Sequence, residues 1–351
     1  MKIYTFNALG NTPVELLWPL RPKNRDKAFE KLIAETSWTE VNSLKDCDIA
    51  IYPHKAFSPQ DLTFNSSVYD AVQKAQNFDK PLIIDATCDS DIPLNIPTAN
   101  ILRFGLYRSL KQSFETERPY WSNQKTKSDL ESLAILPRSQ KPRISFCGTT
   151  SSLGKWFKVG KALPMPLIKT VLSQGKTSRM FHIRVQKGMS HKVRETAAKL
   201  LEADTRIDSY FDITNALPDY YHPDNIYREK LENMFVENIS KCDYALCVRA
   251  NGNYSGRFYM ALNAGRIPVL IDTDVTIPFE NKLHLVKVPV TALDNIGDFI
   301  LEHFARISDR DFIEMKKENR EAYNQFLAPD KFIPNYLTKC ASSTGKALSL
   351  V

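Results

Sequence analysis

Short apolar runs alternate with polar, helix-compatible stretches along this chain, and that alternation limits its fold more than any other feature. Early in the chain the runs are Lys2 to Phe6, Asp48 to Tyr52, Pro81 to Ile84 and Asn100 to Phe104. A second series begins at Arg143 to Gly148 and continues through Met180 to Arg184, Tyr244 to Arg249, Ile267 to Asp272 and His284 to Val288. Runs of this length between helical stretches read as βα units on parallel sheets. The clearest helix spans Asn225 to Lys241, where Tyr227, Leu231, Met234, Phe235 and Ile239 recur at helical spacing. Ser122 to Pro142, polar and ending in prolines, reads as the linker between the series. The expected fold is α/β, with a first Rossmann-like domain over 1–138, a second over 139–328, and an irregular tail, 329–351, docked on the domains. Their strand ends would meet across a cleft, where open α/β sheets bind ligands.

Composition removes several classes. With 351 residues, 43% apolar and 25% charged, the chain can close two cores and is not disordered. No apolar run approaches a bilayer span, and the start lacks a secretory signal, so a cytoplasmic location is expected. The net charge of +7 suits an anionic ligand without requiring nucleic acid, and the basic residues read as scattered. Six separated cysteines, with no metal-ligand spacing, read as buried thiols.

The most informative stretch is Asp243 to Asp274, DYALCVRANGNYSGRFYMALNAGRIPVLIDTD. A buried strand leads into a turn-rich loop, Arg249 to Tyr254. Ser255 is placed to cap a helix from Gly256 to Ala264, which Gly265 ends. Unpaired N–H groups where a loop opens onto a helix favour phosphate, and Arg249 and Arg257 flank that spot with bidentate donors. Arg249, Asn251, Gly252, Asn253, Tyr254, Ser255 and Arg257 thus form a candidate diphosphate cradle. The phosphate-loop and dinucleotide glycine patterns are absent.

This segment resembles the exostosin-type glycosyltransferases, family 47, in Leu246-Cys247-Val248-Arg249, Gly252 to Tyr259, Ala264 to Val269 and Asp272-Thr273-Asp274. Weaker likeness to the bacterial branch lies in Phe104 to Ser109, Pro142 to Gly148, Phe181 to Arg184 and Glu237 to Ile239. The resemblance implies a GT-B architecture, with an N-terminal acceptor domain and a C-terminal domain for a nucleotide-sugar donor, usually a UDP-sugar. It also implies inverting transfer to a saccharide or lipid-linked saccharide, hence polysaccharide biosynthesis. No metal would be essential, although a divalent ion stays an option, as does peripheral membrane association through the acceptor. Where the family has Glu, this chain has Met260, placed off the buried stripe of its helix on the cleft side. Met260 opens a second reading, a non-catalytic sugar-nucleotide-binding relative.

Further donor contacts are expected from Gly148, Thr149, Thr150 and Lys155 after the first strand of the second domain, and from Arg184, with Lys187, after the next. Asp272 either binds the donor or starts a turn. The catalytic base would come from loops of the first domain, with Asp89 or His54 ahead of Asp85 and Asp91. Arg103 and Arg108 are candidates to line the acceptor side. A nucleic-acid-binding reading would need aromatic residues interleaved with basic ones on one face, a pattern not found.

Overall fold

The computed structural model describes residues 1–6, 37–58, 63–152, 154–214 and 225–342. The strands are β1 (Lys2–Tyr4), β2 (Thr39–Glu40), β3 (Ile49–Ile51), β4 (Phe57–Ser58), β5 (Thr63–Phe64), β6 (Leu82–Asp85), β7 (Asn100–Arg103), β8 (Glu115–Glu117), β9 (Arg143–Thr149), β10 (Asp208–Thr214), β11 (Tyr244–Cys247), β12 (Ile267–Asp272) and β13 (Val286–Pro289). Two sheets carry the fold, a six-stranded one ordered β2-β1-β3-β6-β7-β8 and a five-stranded one ordered β10-β9-β11-β12-β13. Every pairing within them is parallel, and only the small β4–β5 hairpin is antiparallel. The α/β class with two parallel sheets is therefore as expected.

Both faces of each sheet are covered, which is why the strands read as continuous apolar runs. In the first lobe, Ala50, Leu82 and Ile84 face helix α1 (Ser66–Asn77), with its Val68, Ala71 and Val72. On the other face Ile49, Ile51 and Ile83 meet Phe332, Ile333, Tyr336 and Leu337. Those last residues lie on the final helix, Pro329–Ser342, so the described part of the tail is helical rather than irregular, and it returns to the first lobe. Each such buried side chain contributes about 2 kcal/mol of apolar burial. Positions 343–351 of the tail lie outside the described residues.

In the second lobe, Tyr244, Leu246, Val269 and Ile271 face one core and Ala245, Cys247 and Leu270 the other. The second core includes Leu130, from helix α2 (Gln124–Glu131), so the linker stretch is ordered and packs as part of this lobe. Met180 to Arg184 is not a strand. After α3 (Lys155–Ala162), α4 (Met165–Leu172) and α5 (Gly175–Arg179), His182 caps a long helix α6 (Ile183–Ala203), its Nδ1 accepting from the Arg184 N–H at 3.1 Å. The strand in that place is β10, an edge strand held by Asn238 of helix α7 (Asn225–Ser240), which donates to Tyr210 O and the Asp212 carboxylate.

By chain order within each lobe, both sheets begin 2-1-3-4-5, so the strand order reverses between the first and third strands. Ligand crevices of doubly wound sheets open at the carboxyl side of that point. In the second lobe it lies between β9 and β11.

Candidate functional site

Three arginines converge on the β9–β11 switch point. Arg194 of α6 is 4% exposed and donates to the carbonyls of Thr149, the last residue of β9, and of Val248 and Arg249, which follow β11. Burial pushes its guanidinium down to about 9, and Arg257 pushes the same way, so it keeps its charge at neutral pH. Arg257, on helix α8 (Gly256–Asn263), lies half-buried over the Phe146 ring at 4.4 Å. Its Nε has no hydrogen-bond partner, and burial lowers its basicity. Gly148 makes room for it: a Cβ there would stand 2.0 Å from the Arg257 Nη2. Neither Arg194 nor Arg257 is paired with a carboxylate among the described residues.

Arg249 is held differently. It is 2% exposed and donates to Tyr107 Oη, Ser178 Oγ and Asn253 Oδ1 through Nη1, and to Gln186 Oε1 and Asn251 O through Nη2. All of these acceptors are neutral, so the charge is uncompensated at first hand. The guanidinium is nevertheless enclosed and braces the loop, rather than standing open as a cradle would require.

The first lobe covers the bend that follows. Gly105, at φ 68, rests on Asn253, where a Cβ would lie 2.7 Å from the backbone nitrogen. Tyr254 stacks on Phe104 with centroids 4.7 Å apart. Asp89 accepts from Asn251 Nδ2 at 2.8 Å and from Tyr254 Oη at 3.1 Å, which brings the expected base onto the expected donor loop. Asn253 Oδ1 also accepts from the Thr273 hydroxyl, while its Nδ2 is buried without a partner. Ser255 is buried at the start of α8, but its side chain makes no capping bond. Gly252 lies against the Asp89 backbone.

Several expected contacts have other work. Asp272 pairs with Arg108 at 3.0 Å, and Asp274 accepts from the Ser109 hydroxyl, so these residues join the lobes. Arg103 is buried against Glu115 and Ser90 O rather than lining an open surface. Met260 packs against the core containing Leu130 and Phe235 rather than facing the cleft, because the inner side of α8 rests on that layer. The Thr149 hydroxyl turns onto Ser151 O in its own loop, whereas Thr150 O accepts from Lys161. Lys155 and Arg184 are exposed at the starts of α3 and α6. Lys187 is half-buried; burial pushes its ammonium down, and Asp89 pulls it up.

A cleft of about 330 Å³ opens at the carboxyl ends of the first sheet, lined by Lys55, Thr87, Asp85, Asp89 and Arg118 with the rings of Phe57, Phe104 and Tyr254. Asp85 is paired with Arg118 at 3.3 Å. Arg118 also donates to the Thr87 hydroxyl and stacks 4.0 Å from Trp121. His54 is exposed next to Lys55, edge-on to Tyr52. Asp91 accepts from Tyr107 Oη and Gln186 Nε2 and so belongs to the interlobe network around Arg249. Arg194 and Arg118 were missed in the sequence, Arg194 because it sits inside an unremarked helix and Arg118 because its strand is composed of Glu and Thr. Among the described residues no group of three or more His, Cys, Asp or Glu is placed to hold a metal ion. No helix among them is long and apolar enough to cross a membrane.

No family model and no curated protein matches the chain. Among solved structures it is similar to glycosyltransferases. A DNA-modifying β-glucosyltransferase, determined with and without uridine diphosphoglucose, gives a TM-score of 0.38 at 11% identity over 98% of this chain and 100% of that one. TarM gives 0.34 at 10% identity over 84% of this chain, which spans only 50% of TarM. A glycosyltransferase from Rickettsia africae gives 0.34 at 10% identity, covering 95% and 83%.

Proposed function

We propose that this chain is a glycosyltransferase of GT-B arrangement, moving a sugar from a nucleotide diphosphate donor, a UDP-sugar, to a saccharide or lipid-linked saccharide. One observation carries this reading: Arg194 and Arg257 sit at the switch point of the second lobe with no carboxylate among the described residues to neutralise them, and Arg249 beside them meets only neutral groups. Buried cations without a counter-ion are costly unless an anion completes the site. The start of α3, which follows the end of β9, lacks a side-chain cap, and the first N–H groups of a helix have no partner within it.

Sugar transfer asks for neutralisation of a departing diphosphate and for acceptance of a proton from the attacking hydroxyl. We assign the first task to Arg257, assisted by Lys187, with Arg194 adding its charge from behind the strand ends it braces, and treat no metal as essential. The second task falls to Asp89, which lines the first-lobe cleft and reaches the donor loop. The rings of Phe104 and Tyr254 offer an apolar wall for the flat face of a sugar. Arg249 is a positioning residue that fixes the bend through Asn253. The exostosin-type resemblance agrees with this division and adds inversion at the anomeric carbon and a place in polysaccharide biosynthesis; the cytoplasmic setting comes from the sequence alone.

A second reading, nucleotide-sugar binding without turnover, is favoured by the engagement of Asp89, whose two oxygens already accept hydrogen bonds across the cleft. Titration calorimetry with nucleoside diphosphates, followed by donor hydrolysis and transfer to an oligosaccharide panel, tests both. Binding with turnover supports the enzyme, and binding without turnover supports the second reading. No heat with any nucleotide overturns both.

A further inference from the structure

From Ser132 to Arg194 the chain contains no Asp or Glu and thirteen Lys or Arg. The basic residues are therefore concentrated rather than scattered, and the whole excess of +7 comes from this stretch. Some of these cations face the switch point, but others do not. On α3, Phe157 and Gly160 point inward, while Lys155, Trp156, Lys158 and Val159 share the exposed side. Trp156 is 50% exposed and Val159 42% exposed. The Trp156 ring lies 6.3 Å from that of His182, the exposed cap of α6. Met180, two residues earlier, is 79% exposed, and Lys176 one helical turn before it is exposed as well. Lys158 and Lys176 have no carboxylate partner among the described residues.

We infer that this face of the second lobe binds an anionic lipid surface. Large apolar side chains set among unpaired lysines match the two forces that hold proteins at a membrane interface, insertion of an amphipathic ring or thioether and attraction to acidic headgroups. A nucleic acid would use the same charge, but Val159 and Met180 offer it nothing to stack on. The patch borders the carboxyl end of β9, where α3 begins, so a lobe resting on lipid would turn the mouth of the switch-point crevice toward the bilayer. The inference does not depend on the proposed transfer reaction.

Co-sedimentation of the full chain with phosphatidylcholine vesicles, with and without phosphatidylglycerol, tests it. Binding is expected only to the acidic vesicles and is expected to weaken with salt. Lys158→Glu with Lys176→Glu should lower the partition coefficient at least about tenfold. Trp156→Ser with Met180→Ser should lower it on vesicles while leaving the melting temperature unchanged. Failure to bind acidic vesicles at low salt overturns the inference, as does binding that neither double variant weakens or a preference for duplex or single-stranded nucleic acid over vesicles. Nucleoside diphosphate titrations of the same variants keep this outcome separate from that of the proposed function.

Discussion

The two lobes share a strand order but not a chemistry. At the carboxyl ends of the first sheet two charge pairs are matched, Asp85 with Arg118 and Arg103 with Glu115, while Asp89 accepts from neutral donors of the other lobe. At the corresponding ends of the second sheet Arg194, Arg249 and Arg257 gather with no acid of the described residues in contact. A matched set suits a neutral ligand bound through rings and hydroxyls, while an unmatched cationic set is completed by an anion. The same topology thus supports two half-sites, and the balance of charge at the strand ends tells them apart.

Breaking one half-site should leave the other intact. The largest effect is expected for Asp89→Asn, which removes the proton acceptor but keeps a similar shape. Turnover should fall by roughly a hundredfold or more while nucleotide affinity changes little, as read by donor consumption and calorimetry. Arg257→Ala should do the converse, weakening nucleoside diphosphate binding by about 2 kcal/mol, some thirtyfold, through loss of charge-assisted hydrogen bonds. Gly148→Ala tests the same group from the other side, because its methyl would occupy the Arg257 Nη2 position and displace the guanidinium. Affinity should fall about tenfold, with a smaller loss than for Arg257→Ala. Equal effects of all three on binding and turnover would erase the distinction between the lobes.

The last effect concerns acid stability rather than binding or turnover. His191, 1% exposed beneath the cationic cluster, is pushed down to about 3 by burial and by the nearby charges of Arg194 and Lys187. Its folded value lies below the unfolded one near 6.5, so the unfolded chain takes up a proton that the folded chain refuses. Stability from this group is complete above about pH 6.5 and declines by about 1.4 kcal/mol per pH unit as pH falls toward 3. Denaturant titrations of His191→Asn at pH 7 and pH 5 should show a shallower acid loss than the unaltered protein. No histidine is among the described residues that line the first-lobe cleft, so the contrast should extend to acid stability.

The fold was legible where burial is apolar on both faces. Ile49 to Ile51, Leu82 to Asp85 and Tyr244 to Cys247 form strands where the runs place them. The reading failed where burial is polar or one-sided. Glu115 to Glu117 is a buried strand, but its carboxylates are taken up by Arg103 and by the N–H groups of Gly105 and Leu106, partners that no periodicity reveals. Burial still pushes Glu117 up to about 8. Met180 to Arg184 reads as a strand from its short apolar run, but the His182 cap starts a helix there. At the site, the Arg249–Arg257 loop was found from its turn residues and paired donors. That Arg249 would be enclosed, and Asp272 engaged by Arg108, depended on how one lobe closes on the other, which local sequence does not encode.

A crystal of the protein soaked with UDP tests the central claim most directly. The account predicts both phosphates at the carboxyl ends of β9 and β11, with oxygens about 3 Å from the Arg257 guanidinium and beside the Gly148–Thr150 loop. A nucleotide seated elsewhere, with Arg257 still packed on Phe146 and touching no phosphate, would contradict it.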